Sequence, residues 1–185
     1  ITIHSYDYSR APKGLSANLE VKPATQLGQR EIALKNPDGG SAALKNIFAV
    51  IQKPRVDSIE PAAKPQGWEG NVTLAGHFFQ AGAKVDFGKG INVNKVVLVS
   101  ENELAANVAV AGDAPAGPRE VKIENPDGGA NALAGAFKIN WKPVLQTIKP
   151  DRLERNWRGR MEIEGNNFQS GATVALGPGI AASGY

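Results

Sequence analysis

The chain has 185 residues, of which 42% are hydrophobic and 21% charged, values that are typical of folded soluble proteins and exclude a disordered or coiled-coil chain. Its formal net charge is +3, its basic residues are interleaved with acidic ones, and it has no long apolar run, so we expect no nucleic-acid partner and no membrane insertion. The absence of cysteine excludes disulfides, thiolate zinc sites and cysteine nucleophiles, while 21 glycines and 12 prolines disfavour helices.

Short runs of alternating apolar and polar residues predict half-buried β-strands along the chain. In chain order, the clearest runs lie at 72–74, 85–87, 104–110, 121–123 and 137–139. Stretches rich in Gly, Pro, Asn and Asp separate these runs and predict tight turns. About seven short strands in a unit of this size favour an all-β Greek-key sandwich of the immunoglobulin type, in which packing alone must hold the two sheets together.

An internal repeat sets the predicted domain organisation. The pentapeptide Asn-Pro-Asp-Gly-Gly at 36–40 recurs at 125–129, an offset of 125 − 36 = 89 residues, and this offset aligns the rest of the chain without a gap. The sequence therefore predicts tandem sandwiches with one complete unit at 53–141. Residues 1–52 match the C-terminal half of such a unit, and residues 142–185 match its N-terminal half.

The complete unit carries a series of motifs in a fixed order. They are Pro-x-Val-x-Ser-Ile-x-Pro at 54–61, Val-Thr-Leu-x-Gly-x-x-Phe at 72–79, Gly-Ala-x-Val-x-Phe-Gly at 82–88, the glycine-bounded stretch at 117–129, and Phe137. This series resembles the IPT/TIG domain, the immunoglobulin-like fold of plexins, some transcription factors and many bacterial surface proteins. The resemblance implies a spacer, an interaction module or a stalk unit, located outside the cell or on its surface.

Two explanations are open for the half units at 1–52 and 142–185. In the first, the chain is a window on a longer array, in which neighbouring sequence completes each half. In the second, the half unit at 142–185 of one chain is completed by the half unit at 1–52 of the next chain. This contact is heterologous, so it builds a filament or a ring. Both explanations require a partner, because an uncovered half sandwich exposes strand edges and one face of its core.

The sequence has no pattern that is typical of a catalytic or metal site. Its two histidines, His4 and His77, lie at unmatched positions of the repeat, and it contains neither a nucleophile elbow nor an H-E-x-x-H motif. The Asp of the repeated pentapeptide could contribute to a calcium site, but capping of a tight turn is its commoner role. We therefore expect a protein that is not an enzyme and that uses no cofactor and no metal.

Three tryptophans are the candidate contact residues. Trp68 and Trp157 occupy equivalent positions of the repeat, each just before a predicted strand, and Trp141 lies at a junction between units. These side chains would either pack across the boundary between units or stack on sugar rings.

The sequence thus predicts a non-catalytic structural module of an extracellular stalk or filament, which assembles head to tail through completion of split immunoglobulin-like units. Its partners would be other copies of itself or neighbouring units of the same kind. The alternative is a carbohydrate-binding or adhesion module of a larger secreted protein, with a polysaccharide as its partner.

Overall fold

A computed structural model describes residues 1–181 of the chain. Its regular secondary structure consists entirely of β-strands in this range, so the all-β prediction is confirmed. None of the secondary structure described for these residues is a helix able to span a bilayer. In chain order the strands are β1 Thr2–Asp7, β2 Ser16–Glu20, β3 Gly28–Lys35, β4 Ser41–Val50, β5 Arg55–Glu60, β6 Ala63–Pro65, β7 Glu69–His77, β8 Lys84–Asp86, β9 Ile91–Ser100, β10 Glu103–Val110, β11 Gly117–Glu124, β12 Ala130–Asn140, β13 Val144–Lys149 and β14 Glu162–Asn166.

Residues 53–141, here called the central unit, form two four-stranded sheets. One sheet has the strand order β5-β7-β10-β9, and the other has the order β6-β12-β11-β8. Neighbouring strands are antiparallel except β6, which runs parallel to the end of β12. Every second residue of β10 is buried, because successive side chains of a strand point to opposite faces of the sheet.

A single hydrophobic core joins the two sheets of the central unit. Leu74 and Leu104 come from one sheet and Val121 from the other, and all three are buried in the same cluster. The fully buried rings of Phe87 and Phe137 meet edge to face with their centroids 5.4 Å apart. Each buried side chain of this size contributes about 1.5–3 kcal/mol, and the chain has no cysteine, so packing rather than disulfides joins the two sheets. The arrangement is consistent with a β-sandwich.

The flanking residues form smaller sheets. In residues 1–52, here called the N-terminal segment, β1 pairs with β2 and β3 pairs with β4. In residues 142–181, here called the C-terminal segment, β13 pairs with β14. Two-stranded sheets cannot enclose a core, and apolar side chains in both segments are therefore exposed, including Leu19 at 54% and Leu145 at 70%.

The 89-residue repeat reappears in the local backbone structure. Strands β3 and β11 coincide under the offset, and both ladders shift register after the same arginine, Arg30 in one and Arg119 in the other. The turns at 36–40 and 125–129 share a hydrogen bond from the N–H of their first residue to the carbonyl oxygen of their last, at 2.7 and 2.8 Å. Equivalent residues therefore form equivalent turns and strand pairs in the hairpins β3–β4 and β11–β12.

The chain enters and leaves the central unit at opposite ends of β12. On the entry side, the carbonyl oxygen of Gln52 lies 3.0 Å from the position that a Cβ on Gly129 would occupy, just before β12 begins. On the exit side, Asn140 ends β12 beside Pro65. Since a strand rises about 3.3 Å per residue, these two ends lie roughly 30 Å apart. The N- and C-terminal segments therefore leave the central unit from opposite ends.

Candidate functional site

Asn125 is a buried polar contact between the two halves of the central unit. It opens the turn at 125–129, and 2% of its surface is exposed. Its Nδ2 donates a hydrogen bond to the carbonyl oxygen of Phe78 at 2.7 Å, and its Oδ1 accepts one from the N–H of Gln80 at 3.2 Å. Because a buried amide without partners is costly, these bonds allow Asn125 to lie at the edge of the core.

The contacts around Asn125 continue along the turn. Asp127 accepts a hydrogen bond from Nε2 of Gln80 at 2.7 Å, and its other oxygen accepts the N–H of Gly129 at 2.8 Å. The ring of Pro126 lies against Gly82, where an added Cβ would be 3.3 Å from the ring. Residues 78–82 thus form a binding surface for the turn at 125–129, and we call this surface the turn seat.

The C-terminal segment contains the equivalent of the turn seat at 167–171. Asn167 has a φ of 62°, the same value as its equivalent Phe78. An added Cβ on Gly171 would meet no other described atom within 4 Å. A groove of about 310 Å³ lies here, and Trp141, Phe168 and Gln169 are among its lining residues. The seat of the C-terminal segment is therefore open to solvent.

The N-terminal segment presents the matching turn at 36–40. Within this turn, the carboxylate of Asp38 accepts the N–H of Gly40 at 2.9 Å, as in the central unit. The side chain of Asn36 is exposed and forms no hydrogen bond within residues 1–181. The N-terminal segment thus presents a formed turn whose equivalent in the central unit is bound by a seat.

Apolar side chains also repeat at the positions that form the core of the central unit. Val56 is 6% exposed, whereas its equivalent Leu145 is 70% exposed. Ile123 is 1% exposed, whereas its equivalent Leu34 is 43% exposed. Further exposed residues at core-equivalent positions are Leu15, Leu19, Val21 and Ile32 in the N-terminal segment, and Ile148, Phe168, Val174 and Ile180 in the C-terminal segment.

The structure places the three predicted contact tryptophans at separate positions. Trp68 packs on the central core and covers the glycine two residues later, with Nζ of Lys64 at 5.0 Å from its ring centroid. Trp157 covers a glycine in the same way and is 40% exposed. Trp141 is 57% exposed and lines the groove together with Phe168. Both roles considered for these residues, packing between units and stacking on sugars, stay predictions.

His77 is the last residue of β7, an inner strand of its sheet, and it lies in a small polar cluster. Its Nε2 lies 3.3 Å from a carboxylate oxygen of Asp57, and its Nδ1 lies 3.1 Å from the amide oxygen of Asn102. Arg55 also binds Asp57, at 2.8 Å. All of these groups are substantially exposed, and the cluster joins the ends of β5 and β7 to the turn between β9 and β10. In the part of the chain that the structure describes, no three metal-binding side chains come together.

The carboxylate of Asp7 accepts two hydrogen bonds from Ser9. The backbone N–H of Ser9 donates a hydrogen bond to it at 2.8 Å, and the Ser9 hydroxyl donates a second at 3.1 Å. These bonds favour the charged form and lower the pKa of Asp7 below its ordinary value of 3.8. The contact orders the chain just after β1.

Sequence reasoning identified the repeated pentapeptide as a turn but missed Asn125 as a contact between half units. One signal was available, because Gln80 recurs as Gln169 although the next residue changes from Ala81 to Ser170. A side chain kept at equivalent positions of two loops indicates a shared partner, and in the central unit that partner is Asp127.

Residues 53–134 match a family model, which describes domain III of the alpha subunit of quinohemoprotein amine dehydrogenase. The match begins at the first residue of the predicted complete unit. It is not the IPT/TIG family that the motifs resemble, so it supports a β-rich domain and leaves the immunoglobulin-like assignment a prediction. No curated protein gives a significant match to the chain.

Proposed function

We propose that this chain is a non-catalytic structural module of tandem immunoglobulin-like units, and that it belongs to an extracellular stalk or filament. The observation that carries the proposal is the recurrence, at 89 residues, of strand positions, ladder irregularities and turns. Repeats that retain core and turn positions build arrays whose units interact with their neighbours. The matched family is one domain of a larger subunit, which also supports a module within a larger assembly.

The junctions between units support a stiff array. Each junction is short and contains a proline, Pro54 at the start of the central unit and Pro143 after its end, which restricts the backbone. The exit junction is also bound to the central unit, since the N–H of Lys142 donates to Oε1 of Gln66 at 3.4 Å. Because entry and exit lie at opposite ends of the unit, successive units would extend the array, head to tail.

Cell location and particle shape test this proposal. Antibodies against the folded chain, used for immunogold labelling of the producing cells, should label the cell surface, and pre-immune serum provides the control. Small-angle scattering of the native polypeptide should give an elongated particle. Labelling confined to the cell interior, or a compact particle, would contradict the stalk or filament proposal.

A carbohydrate-binding or adhesion module is the second candidate, and the exposure of Trp141 beside the groove favours it. Exposed tryptophan rings can stack on sugars. On a panel of immobilised polysaccharides, the wild-type chain should be retained and the Trp141→Ala variant should not. The Trp141→Phe variant, which keeps an aromatic ring, should be partly retained. Equal retention of the wild type and both variants would remove Trp141 from any sugar site.

A further inference from the structure

We propose that the groove beside Trp141 binds the turn at 36–40 of a second copy of this chain. This inference rests on the proposed function, because it names the partner and the contact by which units join. The central unit provides the template, since its turn seat at 78–82 holds the turn at 125–129 through named hydrogen bonds.

Both partners of the proposed contact are already formed. In the C-terminal segment, the N–H of Ala172 donates to the carbonyl oxygen of Gln169 at 3.0 Å, and the equivalent bond in the central unit has the same length. In the N-terminal segment, the N–H of Gly39 donates to the carbonyl oxygen of Asn36 at 3.0 Å, again as in the central unit. Docking therefore requires little ordering of either backbone, which reduces the cost of association.

The template assigns specific hydrogen bonds to the contact. Nδ2 of Asn36 would donate to the carbonyl oxygen of Asn167, and its Oδ1 would accept the N–H of Gln169. The side-chain amide of Gln169 would donate to Asp38. These three bonds repeat those of Asn125 with Phe78 and Gln80, and of Gln80 with Asp127.

The groove also has room for the rest of the turn. In the central unit the ring of Pro126 lies over Gly82, and the equivalent pair would be Pro37 over Gly171. The space above Gly171 is open in the described residues and forms part of the groove. The proline of the second copy would therefore enter existing space without displacing a side chain.

The same docking would cover the apolar faces of both segments. Leu34 would take the buried position of Ile123, and Leu145 would take that of Val56. Removing these exposed faces from water supplies the driving force, and the hydrogen bonds of the turn fix the register.

The turn at 36–40 that docks belongs to a second copy, because within one copy the two segments leave the central unit from opposite ends. The turn at 36–40 belongs to the entry side, and the groove belongs to the exit side, roughly 30 Å away along β12. Each copy contributes one turn and one groove, so the contact is heterologous and can be repeated from copy to copy.

Sedimentation velocity of the 185-residue chain over a wide concentration range tests the inference. The wild type should associate as its concentration rises. Asn36→Ala and Gln169→Ala should each weaken association at least about 10-fold, because each leaves polar groups of the contact unpaired. Gln29→Ala, which removes an exposed amide of the same segment outside the turn, is the matched control and should leave association unchanged. Circular dichroism confirms that each variant is folded.

Mixing the two variants tests the head-to-tail geometry. Asn36→Ala retains an intact groove, and Gln169→Ala retains an intact turn, so a mixture should form heterodimers at a concentration at which neither variant associates alone. Growth should stop at the dimer, since the outer faces carry the substitutions. A wild-type chain that stays monomeric, or variants that do not complement each other, would overturn the inference. The stalk or filament proposal would survive that result, because cell location and particle shape test it separately.

Discussion

The substitution Asn125→Ala tests how the two halves of the central unit are joined. The carbonyl oxygen of Phe78 loses the donor Nδ2, which lies 2.7 Å from it, and the N–H of Gln80 loses the acceptor Oδ1, which lies 3.2 Å from its nitrogen. A buried polar group left without its partner costs about 1–3 kcal/mol. Since two such groups are affected, we expect the free energy of unfolding to fall by about 2–6 kcal/mol.

Urea denaturation followed by far-UV circular dichroism measures this change, at a concentration at which the chain is monomeric. The matched control is Asn36→Ala, the same substitution in an identical pentapeptide whose first side chain is exposed. Its effect should stay within about 0.5 kcal/mol, as for other surface positions. If both variants lost equal stability, the contribution of Asn125 would come from the turn itself, and the proposed joining of half units through this amide would be refuted.

Three further predictions concern packing and charge. Phe137→Ala should lower the free energy of unfolding by about 3–5 kcal/mol, because its ring is fully buried. Phe48→Ala, at the equivalent and partly exposed position, should lower it clearly less in the same denaturation assay. Gly76→Ala should lower the melting temperature strongly, since its Cβ would overlap the backbone of the neighbouring strand, and Gly112→Ala, which has open space, should not. NMR titration should place the pKa of Asp7 below 3.8, so that its stabilising contact is present above the ordinary pKa and is lost as the pH falls through the lowered value.

The strands could be predicted wherever one face of the sheet is buried. The runs at 104–110 and 121–123 alternate because a core lies on one side and solvent on the other, and they fall within β10 and β11. Strand β6 was not predicted, since it has three residues and no alternation. It exists through parallel pairing with the end of β12, a contact that depends on tertiary structure.

The candidate site was less predictable, because its key feature is a difference in environment. The turns at 36–40 and 125–129 are identical in sequence and share their internal hydrogen bonds, yet Asn125 is buried and Asn36 is exposed. Local sequence specifies the turn, whereas the seat at 78–82 determines whether the Asn side chain is bound. No reading of the pentapeptide alone could distinguish the two states.

That the same turn forms with and without a seat has a consequence for assembly. If the seat induced the turn, each new contact between copies would also have to order a loop, and association would be slow and weak. Because the turn is held by its own hydrogen bonds, association of two copies consists mainly of burying apolar faces and pairing a few polar groups. At the exit junction, the hydrogen bond from the N–H of Lys142 to Oε1 of Gln66 and the ring of Pro143 would restrict the direction of the next unit. A ring would require every junction to bend toward the same side, whereas an extended filament requires no bending, so we expect filaments to be the product of repeated docking.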